Sequence, residues 1–477
     1  MNPTLDLHAL SATQIAAAVS GRRLSAVDIF DHVAARVDAL NPGLNAVIGF
    51  DAQDGRAEAL KADEIARQGK SLPLLGVPFT VKDTFWVSGK RASQGSKLFQ
   101  DFIAPRDSWC VQRMREMGGV FLGITNCSEF ACKGITNNIA YGATHSPWRH
   151  GYTPGGSSGG AASAVSAGFG PLALAADAGG SVRRPAAHCG LVGLKPTAGI
   201  IPNPWGFAEA NFGHSVVAPL GRCVADVALM LECLVGYHPE DPLSAPFALD
   251  ASCVQSAARG APKSLRIGFS RDLGCGFAID EDVERVILES VARLEQQGFR
   301  IDRADPVWPA GTFEYPLVAL QQAGLAALFS ERWLSDPRAI DPDLGAQMEL
   351  GLKTDGLQLA SLLLLREELH RSMARFFERY DLLLCPTAPV TSWPLTENYP
   401  PLIGGRPATG RGHAAFTPLF NYCGVPACSV PCGVAADGLP VGIQVVGPKF
   451  HDAVVLALAA DIERGNVFDF TQPRTPG

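Results

Sequence analysis

Hydrophobic positions along the chain follow two alternating patterns. Short apolar runs bounded by Gly, Pro, Asn or Asp read as buried strands over 74–81 (ending at Lys82), 120–124, 171–176, 265–270, 299–302, 382–384 and the late segment GLPVGIQVVGP. Between them, apolar residues recur at helical spacing: 12–19 behind Ser11, 26–40 behind Ser25 and stopping at Asn41-Pro42-Gly43, then 53–68, 108–117, 158–169 and 224–234. The helix expected over 280–297 puts Val283, Ile287, Val291 and Leu294 on one face. A linker is expected over 251–263 and a mostly helical stretch over 313–380. This βαβ rhythm predicts an α/β fold, with a mixed, largely parallel central sheet flanked by helices on both faces.

Composition narrows the class. With 477 residues and 47% hydrophobic content the chain can bury a large core, and we expect one domain over 1–477. It would carry an N-terminal helical layer (1–75), a core (76–200) and a helical insertion (313–380) that caps the substrate pocket. The net charge of −7, from 47 acidic and 40 basic residues without a long Lys/Arg block, argues against nucleic acid or an anionic membrane as partner. Twelve cysteines without paired spacing point to reduced thiols in a cytoplasmic protein, and neither a metal site nor a cofactor is expected. The opening residues lack a basic segment followed by an apolar one, so no secretory signal is read there. Residues 151–176 carry no charge, yet hold seven glycines, two prolines and four serines, which suits a buried helix and strand better than a membrane span.

Two serines set among glycines carry the candidate chemistry. A phosphate loop over 155–160 would need a lysine that is missing. Gly156-Ser157-Ser158-Gly159-Gly160 matches the G-x-S-x-G elbow, but the preceding RHGYTPGG is no strand. A third reading uses both serines and Lys82. Amide hydrolysis needs an activated nucleophile, stabilisation of an oxyanion and a proton for the departing nitrogen. Ser181 follows Asp177-Ala178-Gly179-Gly180, whose N–H groups could converge on an oxyanion. A lysine kept neutral by burial could take the serine proton, directly or through a second hydroxyl.

The runs GVPFTVKD, PGGSSGG and DAGGSVRRPAAHCGLVGLKPT, in this order, resemble the amidase signature family of Ser-cisSer-Lys amide hydrolases, with Lys82, Ser157 and Ser181 separated by 75 and 24 residues. The resemblance runs from the N-terminal helices to GLPVGIQVVGP. It implies Ser181 as nucleophile, Ser157 as a bridging serine after a cis peptide bond, and Lys82 as base. It implies an oxyanion hole from the backbone N–H groups of Ala178, Gly179, Gly180 and Ser181, and Asp177 with Arg183 as a pair that fixes the turn. His188 is read as a packing residue. Lys133, Trp205 and Phe207 are candidates for contact with substrate.

The implied activity is hydrolysis of a small or aromatic amide, with a homodimer as a possible assembly. The glutaminase component of a tRNA-dependent amidotransferase is the alternative within the family. That component usually carries paired arginines where this chain reads MELGLK at 348–353. A noncatalytic partner protein of the same fold is the alternative of another class, and the presence of all three triad residues speaks against it.

Overall fold

The computed structural model describes residues 6–244, 246–247, 249, 251–312 and 316–476. The first residues of the N-terminal layer (1–5), those of the helical insertion (313–315) and Gly477 lie outside them. The described residues form thirteen strands: β1 (Val47–Phe50), β2 (Pro78–Lys82), β3 (Val120–Thr125), β4 (Leu172–Asp177), β5 (Val192–Lys195), β6 (Val216–Gly221), β7 (Arg266–Phe269), β8 (Arg300–Arg303), β9 (Leu382–Pro386), β10 (Leu402–Ile403), β11 (Arg406–Pro407), β12 (Ala427–Val434) and β13 (Pro440–Val446). Eleven of them form one sheet in the order β1-β3-β2-β4-β6-β5-β12-β13-β9-β7-β8, and β10 with β11 makes a small separate ribbon.

The sheet is mixed, as expected, but parallel pairing is confined to two blocks, β3-β2-β4 and β9-β7-β8. The six other couplings are antiparallel. Parallel pairing is thus less extensive than the βαβ rhythm implied, because β5 and β6 pair across a long loop and β12 turns straight back into β13 at Asp437-Gly438. Every residue of β2, β3 and β13 is buried. Alternation of buried and exposed positions is therefore absent, and helices must cover both faces of these strands.

Most elements follow their local signals. Ser11 and Gln14 close a capping box on helix Ala12–Ser20. The second helix, Ala26–Leu44, runs past the expected stop and contains Pro42 in its last turn. The Asn45 N–H donates to the Asn41 carbonyl at 2.8 Å from a left-handed conformation, which ends the helix there. The expected linker over 251–263 contains a helix, Cys253–Arg259, capped by Ser252 and followed by Gly260. Its seven residues are too few to display a periodicity.

The functional edge comes from β2 and β4. They are parallel neighbours, so their C-terminal ends, Lys82 and Asp177, point to one side of the sheet. Helix Gly159–Ser166 packs beneath this edge with all eight residues buried. A Cβ on Gly160 would lie 2.3 Å from the Asn126 carbonyl oxygen, so only glycine permits this approach. One cluster of buried apolar residues extends from Ala12 to Ile462 and ties the N-terminal helices to the C-terminal helix Asp452–Arg464. Ten of the twelve cysteines are buried. Among the described residues no helix is long and apolar enough to cross a membrane.

Candidate active site

Lys82 closes β2 and is fully buried. Its Nζ donates to Ser157 Oγ at 2.8 Å, the one hydrogen bond of this ammonium among the described residues. Burial pushes its pKa down to about 8, and the nearby Cys127, Asp177 and Cys132 only partly oppose that shift. The Gly156–Ser157 peptide bond is cis. Thr136 holds this loop: its hydroxyl donates to the Gly155 carbonyl and accepts the Gly159 N–H, both at 2.9 Å. The Ser158 N–H donates to the Ser181 carbonyl at 3.2 Å, which joins the two serine-bearing turns directly.

The second turn is built on Asp177. Its carboxylate accepts the N–H groups of Gly180 (2.7 Å), Val182 (3.1 Å) and Arg183 (3.3 Å), the Arg183 guanidinium at 3.1 and 2.9 Å, and Asn421 Nδ2 at 3.0 Å. Burial alone would push this carboxyl up. The charge and hydrogen bonds of Arg183, then Asn421 and Gly180, outweigh it and hold the group well below the usual carboxylate range. Arg183 is itself fully buried and reaches the Thr417 carbonyl (3.0 Å) and Gln444 Oε1 on β13 (2.7 Å). The Thr417 hydroxyl donates to the Gly179 carbonyl at 2.8 Å, so residues 417–421 clasp the turn from outside.

Gly180 departs from the expected set of N–H donors. Its N–H is committed to Asp177 at 2.7 Å, and the residue does not line the pocket. The N–H groups of Ala178, Gly179 and Ser181 take no acceptor among the described residues, and all three residues lie on the pocket wall. Gly180 serves the turn in another way. At φ +106° it holds a conformation that side chains rarely adopt, and a Cβ there would lie 2.1 Å from Thr417 Oγ1.

The pocket beside Ser181 holds about 880 Å³ including its open mouth, within the range of small-molecule sites. Its wall is mostly apolar and includes residues from two helices of the 313–380 segment, Gln321 on Val318–Ser335 with Leu365 and Leu369 on Gly356–Arg379. Phe277, Leu419 and Tyr422 complete it.

The other expected contacts divide. Lys133 lines the pocket, but its ammonium is held by Asp341 at 2.5 Å and Asp343 at 3.2 Å. Trp205 stands apart from the Ser181 pocket: its indole N–H donates to Glu240 at 2.8 Å and Arg106 lies over its ring. Phe207 packs among Trp86, Phe99 and Phe102 on the neighbouring cavity. His188 is buried edge-on to Trp393, and burial, aided by Arg184, pushes its pKa down to about 3. Sequence reasoning missed Asn421, Gln444, Arg184 and Arg411. Only Arg184 had a local signal, as the second arginine of SVRRPA.

The model of the Amidase family matches residues 28–456. The chain is 38% identical over 463 residues to an acylamidase of Rhodococcus erythropolis, covering 96% of each chain. It is 30% identical over 485 residues to a glutamyl-tRNA(Gln) amidotransferase component of Psychrobacter cryohalolentis, covering 95% of each. Among solved structures, a bacterial aryl acylamidase of the amidase signature enzymes superposes with a TM-score of 0.88 at 26% identity, over 98% of both chains. Fold, motifs and whole-length similarity agree: the chain belongs to the amidase signature family of amide hydrolases.

Proposed function

We propose that the chain hydrolyses a small or aromatic amide to a carboxylic acid and ammonia or an amine, through an acyl-enzyme on Ser181. The observation that carries this reading is the 2.8 Å contact of Lys82 with Ser157, made by a lysine whose pKa is pushed down to about 8. Neutral Lys82 takes the Ser157 proton as Ser157 takes that of Ser181, and the Ser181 oxygen adds to the amide carbonyl. The N–H groups of Ala178, Gly179 and Ser181 receive the oxyanion. The same relay returns the proton to the leaving nitrogen as the C–N bond breaks. Water then enters by the reverse sequence and releases the acid.

Similarity to acylamidases supports the acyl-nitrogen bond as target. Glutaminase action within a tRNA-dependent complex is the second reading, supported by the 30% identity to an amidotransferase component and weakened by MELGLK at 348–353. Twelve scattered cysteines, ten of them buried, suit the cytoplasm, and a homodimer is the assembly we expect. A panel of amides, anilides and glutamine, with denaturing mass spectrometry of quenched reactions, tests the reading. A mass increase equal to the acyl group on wild type and its loss in Ser181→Ala are expected. Turnover undiminished in Ser181→Ala sinks it, and glutamine cleavage only beside a partner protein moves it to the second reading.

A further inference from the structure

Two guanidinium groups on the Ser181 pocket have no carboxylate partner among the described residues. Arg184 is buried, with only 6% of its surface exposed, and its one hydrogen bond to protein runs from Nε to the Gly180 carbonyl at 3.4 Å. Its two terminal nitrogens take no acceptor among the described residues. Arg411 lies on the same pocket and donates through Nη2 to the amide oxygens of Gln347 (3.0 Å) and Gln321 (3.4 Å), both neutral. Gln321 is turned toward Arg411 by its own donation to Cys132 Sγ at 3.3 Å.

The rest of the wall offers no compensating charge. Among the described residues, not one on the wall is Asp or Glu. The third cation, Lys133, is already neutralised by Asp341 and Asp343. Asp177, which acts on Arg184 from behind the turn, is saturated by Arg183, Asn421 and backbone N–H groups. His214, also on the wall, is kept neutral by burial, with Arg366 adding to the effect. The chain as a whole carries −7, so this is a local concentration of positive charge on an acidic molecule. Partly desolvated guanidinium groups without a counter-ion are costly. Their fork geometry fits one ligand class best, a planar carboxylate.

We infer that the preferred substrate is an amide that also carries a carboxylate, which Arg184 and Arg411 hold while the amide carbonyl lies at Ser181. The connecting portion of the substrate rests on the apolar wall of Leu317, Val318, Leu365, Leu369 and Leu419. This deepens the amide-hydrolase reading and rests on it for the position of the reacting carbonyl. Monoamides of dicarboxylic acids place the carboxylate on the acyl half, and N-acyl amino acids place it on the amine half.

The test compares matched pairs: N-phenylsuccinamate against neutral N-phenylbutanamide for the acyl half, and N-benzoylglycine against N-benzoylethylamine for the amine half. The wild type is expected to prefer the anion of one pair in kcat/KM by on the order of tenfold or more. Arg411→Gln and Arg184→Gln should collapse that preference mainly through KM, and Arg411→Lys, which keeps the charge and loses the fork, should restore part of it. Calorimetric binding of the same pairs to Ser181→Ala gives the comparison without turnover. Equal affinity for anion and neutral analogue in both pairs overturns the inference, even where Ser181-dependent hydrolysis proceeds. Arginine-dependent binding of the anion without any hydrolysis by wild type overturns the hydrolase reading and leaves the anion site standing.

Discussion

Lys82 and Ser157 stand 75 residues apart in the chain and meet at 2.8 Å in a fully buried contact. Among the described residues no carboxylate touches the ammonium, so burial decides its proton affinity, and the serine hydroxyl fixes where its nitrogen points.

Turnover should therefore rise with pH through about 8, because the base works in its neutral form and loses its proton as pH increases past its pKa. A kcat/KM profile that is flat from pH 6 to 9 would contradict this. Lys82→Arg offers no neutral form in that range and should lower kcat by several orders of magnitude, with the melting temperature as a control for folding. Ser157→Ala should cost about a hundredfold or more in kcat, in keeping with loss of an acid–base relay.

Asp177→Asn should cost about 3–5 kcal/mol of stability, the usual penalty for removing one partner of a buried ion pair, since Arg183 would stay buried without its counter-charge. The Asp177 carboxyl has a folded-state pKa below its unfolded value. Its contribution is thus complete above the unfolded pKa of about 4 and is lost as pH falls toward the folded one. Denaturant titrations of wild type and variant at a series of pH values should converge in acid. A constant gap would contradict the assignment.

Neighbouring glycines should respond differently to the same change. Gly180→Ala forces a Cβ into Thr417 Oγ1 and strains a positive φ, so it should both lower the melting temperature and reduce kcat by about a hundredfold through distortion of the N–H groups beside it. Gly179→Ala meets its nearest atom at 3.9 Å, on Pro418, and should keep the wild-type melting temperature. Paired thermal melts decide between these expectations.

Trp205→Ala should leave kcat/KM within about twofold, the effect of a surface change away from the reacting groups, because its indole faces Glu240 and Arg106 instead of the Ser181 pocket. A loss of a hundredfold would return Trp205 to the substrate site.

The candidate triad and its turn could be picked out in the sequence because amide hydrolysis demands closely spaced N–H groups and small residues, which leave a contiguous mark such as DAGGSVRRP. The fold class was legible through apolar runs and helical spacing. Strand direction was not, and β5 and β6, which pair antiparallel across a long loop, were not read as strands at all. The pocket wall left no mark either. Gln321, Leu365, Arg411 and Tyr422 come from separate segments, and each alone has the look of an ordinary helix or loop residue. Trp205 shows the converse: an aromatic residue in a glycine-rich loop drew attention for its type while its partners lay in Arg106 and Glu240.

The groups proposed for hydrolysis, Lys82, Ser157 and Ser181, belong to the first 181 residues, whereas Phe277 and most of the wall of the pocket beside Ser181 arrive after residue 270. On the proposed mechanism the chemistry is thereby concentrated in the early stretch, whereas selectivity is shared between Arg184 and the later one. New amides can be reached by rewriting the later wall residues where Thr417 and Asn421, which hold the Asp177 turn, are kept. For a protein engineer, the same division makes residues 316–369, which precede Thr417 and Asn421, the natural segment for exchange between relatives.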